Sequence, residues 1–86
     1  MQLTKDLVAS KISEYLRHEI PMSSLVDWAE SAMMEAEFED GSFEIIREVV
    51  ARLGVADVRT FGLTWDDCEE MLNRLGYSVH LEIVAV

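Results

Sequence analysis

From residue 77 to residue 86 the sequence alternates: Tyr77, Val79, Leu81, Ile83 and Ala85 on one side, and Ser78, His80, Glu82, Val84 and Val86 on the other. A period of two held over ten residues is the pattern of a half-buried β-strand, because successive side chains point to opposite faces. A strand is not a free-standing object. Its row of N–H and C=O groups has to find a neighbouring backbone, and burying them unpaired costs free energy. Within the chain, only residues 55–61 offer a second candidate strand. If that stretch is helix or turn, the segment pairs with another molecule. A second copy would add antiparallel across a two-fold axis, and a different protein would offer a sheet edge. The expectation is a homodimer joined through the row Tyr77, Val79, Leu81 and Ile83, with pairing in cis as the open alternative.

Everything before that segment carries helical spacing. Val8, Ile12, Tyr15 and Leu16 share one helical face, extended by Leu3 and Leu7, over residues 3–19. Pro21 drives Ile20 out of the α region and ends this helix. Ser23 and Ser24 are N-cap candidates for a second helix, and Ser24 with Asp27 approximates a capping box. Its apolar face is Leu25, Trp28, Ala29, Ala32, Met33 and Ala36, with Met34 and Phe38 off the centre. Ser42 is placed to cap a third helix with the stripe Phe43, Ile46, Val49, Val50 and Leu53. Gly54 is expected to close it in the left-handed conformation, with Val55 folding back on Val50. Residues 55–62 read as a short helix or turn, with a strand as the alternative.

Thr64 and Asp67 form an N-cap pair for a further helix striped by Trp65, Cys68, Leu72 and Leu75, with Leu63 stapled onto Cys68. Gly76 closes it, and Tyr77 packs back on Leu72. The two stops read alike, Arg52-Leu53-Gly54-Val55 and Arg74-Leu75-Gly76-Tyr77, which is shared termination chemistry rather than a repeat. The expected fold is mainly α, four to five short helices in a small bundle with a C-terminal β-strand, in one domain over residues 1–86.

Half of the 86 residues are apolar, enough for a packed core. The 17 acidic residues outnumber the 7 basic ones, for a net charge of −10. Such a surface repels nucleic-acid phosphates and anionic lipid, and it attracts basic partners. The single cysteine, Cys68, precludes a disulfide within the chain and fits a reducing compartment. The opening Met1-Gln2-Leu3-Thr4-Lys5-Asp6 has no basic region followed by an apolar run, and the apolar stretches are too short to span a bilayer. The expected location is the cytoplasm.

Residues with catalytic or ligand chemistry are sparse. His18 and His80 lie on separate elements without a second His or Cys at ligand spacing, so no zinc site is expected. Cys68 falls on an apolar stripe, beside Trp65 and Leu72 and among acids, which suits a small buried hydrophobe better than a nucleophile. Asp40-Gly41 lacks the spaced acids of a calcium loop, and the four glycines are scattered at turns rather than gathered in a phosphate cradle. No cofactor and no enzymatic activity are expected. The residues suited to contact are Met34 and Phe38, an apolar pair beside the acids Glu35, Glu37, Glu39 and Asp40. An apolar pair rimmed by acids fits a basic protein.

The stretch Gly62-Leu63-Thr64-Trp65-Asp66-Asp67-Cys68 through Leu75-Gly76-Tyr77 resembles the first helix and turn of a helix-turn-helix repressor. Where the recognition helix would follow, residues 78–86 hold a strand pattern without Lys or Arg, so DNA reading fails at the residues that would perform it. The helix ending Leu75-Gly76-Tyr77 and the alternating segment after it are similar to the tails of some bacterial antitoxins. In size and charge the chain resembles small acidic helical proteins that neutralise basic toxins or nucleases. These resemblances imply a non-enzymatic, protein-binding regulatory domain with an acidic face for a basic partner, antitoxin-like or immunity-like in its sharpest form. A structural subunit of a larger assembly is the alternative.

Overall fold

The computed structural model describes residues 2–35, 37–39, 41–58, 62–80 and 83–85. In chain order these form β1 (Gln2–Leu3), α1 (Lys5–Leu16), α2 (Met22–Glu35), β2 (Glu37–Phe38), α3 (Phe43–Leu53) and α4 (Trp65–Arg74). The protein is mainly helical, as its periodicities imply, with four helices and one two-stranded sheet among the described residues.

The first helix is shorter than its apolar pattern. Thr4 takes the extended N-cap conformation and its hydroxyl accepts from the Leu7 amide at 3.1 Å, so α1 begins at Lys5. Leu3 is peeled off into β1, which pairs in parallel with β2 in the register Gln2 to Glu37 and Leu3 to Phe38. The Glu39 amide extends the ladder to the Leu3 carbonyl at 2.9 Å. At the other end of α1, His18 adopts φ +62°. Its amide donates to Tyr15 at 3.1 Å, and the Glu19 amide reaches back to Glu14 at 2.9 Å. This paired closure is usually built around glycine; here a histidine occupies the left-handed position.

The second helix starts earlier than its serines suggest. The Pro21 carbonyl accepts from Ser24 at 3.1 Å and Leu25 at 3.2 Å, placing Ser23 and Ser24 inside the first turn rather than at the cap. Pro21 pre-sets the backbone for helix entry. Ser42 does hold the N-cap position of α3, but its side chain makes no capping hydrogen bond. Gly54 corrects the sequence reading outright. It is right-handed, φ −65°, because the chain carries on into tight turns, Ala56 to Leu53 at 3.1 Å and Val58 to Val55 at 3.0 Å. Residues 55–58 are therefore turn and bend, one of the two forms expected; residues 59–61 lie outside the described set.

The fourth helix follows its sequence signals closely. The Thr64 hydroxyl accepts from the Asp67 amide at 3.1 Å while the Asp67 carboxylate accepts from the Thr64 amide at 3.0 Å, a complete capping box. Gly76 closes the helix at φ +96°, with Gly76 donating to Asn73 at 3.0 Å and Tyr77 to Leu72 at 2.9 Å.

One core gathers from β1 and all four helices: Leu3, Val8 and Ile12, Leu25 and Ala29, Ile46, Val49, Val50 and Leu53, then Cys68, Leu72 and Leu75. Among the described residues no polar or charged one is buried. The strand expected over 77–86 is absent from the described part of that stretch, residues 77–80 and 83–85, which join no ladder. Leu81, Glu82 and Val86 lie outside the described residues. With 55–58 wound into turns, the described part of the neighbour that the sequence offered within the chain is not a strand.

Candidate interaction surfaces

The acidic face proposed from sequence divides in two. Met34 stands near the end of α2 with 85% of its surface exposed, and Glu35 and Glu37 beside it are also exposed. Phe38 does not extend this face as a helical neighbour of Met34, because α2 stops at Glu35 and Phe38 is on β2. It is half-buried against the core, its ring 5.1 Å from that of Phe43 and tilted by 42°. Glu39 is likewise structural. Its carboxylate accepts from the Lys5 amide at 3.5 Å, negative charge set against the positive end of α1. Asp40 lies outside the described residues. The structure therefore leaves Met34, Glu35 and Glu37 facing solvent and turns Phe38 and Glu39 to holding β2 in place.

The bases do little to offset the acids at that face. Lys11 pairs with Glu14 at 3.5 Å, Arg17 with Glu19 at 3.6 Å, Arg52 with Asp67 at 3.3 Å and Arg74 with Glu48. The last two pairs clasp α3 to α4. Lys11 also sits 5.9 Å from the centre of the Trp28 ring, within cation–π range. Four of the seven bases are thus engaged away from Met34.

A second surface has no counterpart in the sequence reading. Two open depressions meet at Leu16 and Trp65 along the seam of α1 and α4. The larger, about 710 Å³, runs from Asp6 and Ser13 on α1 to Leu72, Val79 and His80. The smaller, about 610 Å³, continues past Tyr15 to Ile20 and Leu63. Trp65 is 43% exposed and Tyr77 41%. The Tyr77 hydroxyl donates to Asp6, which ties the start of the last segment to α1 and pushes the phenol pKa above its usual value; burial adds to the shift. The available signal for this surface was Trp65, a large aromatic in the first turn of α4 and therefore at the rim of its stripe.

The chemistry-bearing side chains have structural duties. Cys68 is fully buried, and burial, reinforced by the Asp67 carboxylate and opposed by Arg52, pushes its thiol up to about 11. The Asp67 carboxyl is held below its usual value by the hydrogen bonds from the Thr64 backbone and side chain, with Arg52 a lesser influence. His18 lines the smaller depression and His80 the larger. No three His, Cys, Asp or Glu side chains among the described residues gather where they could hold a metal ion. Nor is any helix there long and apolar enough to cross a membrane.

Fold and surface together define a small acidic helical protein with an open seam between its first and last helices. Comparison with family models, with curated proteins and with solved structures found no match.

Proposed function

We propose that this chain is a non-enzymatic, protein-binding regulatory domain that presents an acidic face to a basic partner and acts in the cytoplasm as a homodimer. The observation that carries the first part is Met34, 85% exposed between exposed carboxylates in a chain of net charge −10. The charge steers a basic protein into encounter. A flexible thioether then adapts to the partner's apolar surface. Occupying a basic patch in this way is how a small acidic protein neutralises a toxin or nuclease, and the antitoxin-like or immunity-like role is the sharpest form of the reading. Binding rather than catalysis is favoured by Cys68, whose thiol is protonated and sealed in the core.

Homodimerisation is favoured by Ile83 and Val84, 88% and 72% exposed within the alternating segment. The same residues suit a subunit of a larger assembly, which would aggregate when isolated.

The test is affinity capture with two baits, the wild-type chain and the triple variant Met34→Ser, Glu35→Gln, Glu37→Gln. Basic proteins held by the wild type alone, and released as salt is raised, are the expected result. Equal capture of the same species by both baits, with equal salt dependence, would remove the acidic face from the proposal.

A further inference from the structure

We propose that the seam between α1 and α4 is a docking groove for an amphipathic helix of a basic protein, which seats its apolar side chains on Leu16, Trp65 and Leu72 and its Lys or Arg side chains on Asp6 and Glu69. This rests on the basic-partner reading above and names the groove that takes the partner's apolar segment. The floor is already in place. Two open depressions, of about 710 and 610 Å³, meet at Leu16 and Trp65, and Trp65 is 43% exposed there. Ala9 and Ser13, one turn apart on α1, line the larger depression, and their short side chains leave room for those of a guest. The two walls are helices. A groove of this form suits a third helix, whose apolar stripe enters while its polar flanks stay at the rim.

Charge selects the occupant. Arg17 is matched by Glu19 at 3.6 Å and Glu14 by Lys11 at 3.5 Å, so those four charges offset one another. Asp6 is different. It accepts from the Tyr77 hydroxyl, a neutral donor that leaves the carboxylate its charge. Glu69 stands four residues after Trp65 and three before Leu72, hence on the same face of α4, and it makes no ion pair among the described residues. One unmatched carboxylate on each helix thus borders the apolar floor. In a chain of net −10 these two draw a segment with cationic flanks and turn away an acidic one.

Trp65 emission in a Trp28→Phe background reports on the groove. The probe is a synthetic amphipathic peptide of Leu and Lys at helical spacing, with a Leu and Glu counterpart of the same pattern as control. The Leu/Lys peptide should saturate a single site and move Trp65 emission to shorter wavelength, while the Leu/Glu peptide leaves it unmoved. Ser13→Arg sets a bulky cation on the groove wall and should weaken the Leu/Lys peptide tenfold or more with far-UV circular dichroism unchanged. Ser10→Arg, at the exposed rim of the same wall, takes its place if Ser13→Arg fails to fold. The Met34→Ser, Glu35→Gln, Glu37→Gln variant should bind within twofold of the wild type. Binding that survives Ser13→Arg and is lost in that triple variant overturns the groove and leaves the Met34 face intact. Equal binding of the two peptides overturns the charge selection and the basic-partner reading with it. Trp65 emission that shifts with protein concentration alone gives the groove to a second copy and overturns the proposal. So does the absence of binding by either peptide, and the two-bait capture then judges the Met34 face separately.

Discussion

Two glycines that look identical in sequence should respond in opposite directions to the same substitution. Gly54 and Gly76 each follow an Arg-Leu pair at the end of a helix. Gly76 stands at φ +96°, and a Cβ built there meets nothing within 4 Å. The cost of Gly76→Ala is therefore purely conformational, about 1–2 kcal/mol for an L-residue forced into the left-handed region. Gly54 has φ −65°, and its added Cβ finds only ordinary contacts, 3.6 Å to the Ala51 and Val50 carbonyls. There Gly54→Ala lowers the entropy of the unfolded chain without straining the folded one, a gain of about 0.4–1 kcal/mol. The two variants should differ by about 1.5–3 kcal/mol, which for a domain of this size separates their melting temperatures by on the order of 10 °C. Urea and thermal denaturation followed by circular dichroism at fixed protein concentration measure this directly. Equal shifts, or a stabilised Gly76→Ala protein, would refute the assignment of different backbone states to the two stops.

Three further outcomes follow from the contacts around α4. Thr64→Ala should cost about 1 kcal/mol, the usual loss for an N-cap hydroxyl. It should also raise the Asp67 carboxyl part of the way toward its ordinary value, since the Thr64 side chain is the second cause of its depression while the Thr64 backbone amide, the first, stays in place. A depressed carboxyl contributes stability that is present above its unfolded value and lost as pH falls through the folded one. The variant should therefore show a shallower acid limb in urea midpoint against pH, and an unchanged limb would count against the capping box. Tyr77 behaves in the opposite sense. Its phenol is raised chiefly by the hydrogen bond to Asp6, so that contribution is present below the unfolded phenol value and fades as pH climbs through the folded one. Asp6→Ala should bring the spectrophotometric phenol titration back down, and a titration identical to wild type would mean the contact is not made in solution. Finally Cys68, buried and protonated until about 11, should resist iodoacetamide in the native protein at neutral pH and react at once in urea. Rapid native labelling would contradict its place in the core.

Much of this fold is legible because burial writes itself into spacing. Ile46, Val49, Val50 and Leu53 fall on one face of α3 and all four are buried. The Thr64–Asp67 box is legible for a different reason: every group in it lies within one turn, so local chemistry decides it. What escapes the sequence is what depends on distant residues. Leu3 continues the apolar stripe of α1, and nothing nearby reveals that it pairs with Phe38. That pairing delays the start of α1 to Lys5, draws Phe38 out of helical register with Met34, and halves the acidic face read from the sequence. His18 escapes too, because the left-handed closure of α1 is built from backbone hydrogen bonds to Tyr15 and Glu14 and a histidine carries no local signal for it. Gly54 and Gly76 make the same point from the other side: the same Arg-Leu pair precedes each, with opposite handedness decided by where the chain goes next.

The two associations proposed for this chain are separable by a single variable, because its charge enters them with opposite sign. Joining a chain of net −10 to a basic protein gains Coulomb energy, and screening takes that gain away. At about 0.5 M salt the Debye length shrinks to roughly 4 Å, and exposed carboxylates such as Glu35 and Glu37 no longer reach a partner's bases through solvent. Joining two such chains works against repulsion, and the same screening relieves it, leaving the burial of exposed apolar side chains such as Ile83 and Val84 to act. A salt series on one sample therefore reads both associations: the basic partner leaves the Met34 face as the two copies tighten. If both associations weakened in parallel, the homodimer contact would have to be electrostatic, and an apolar contact through Ile83 and Val84 would be the wrong description of it.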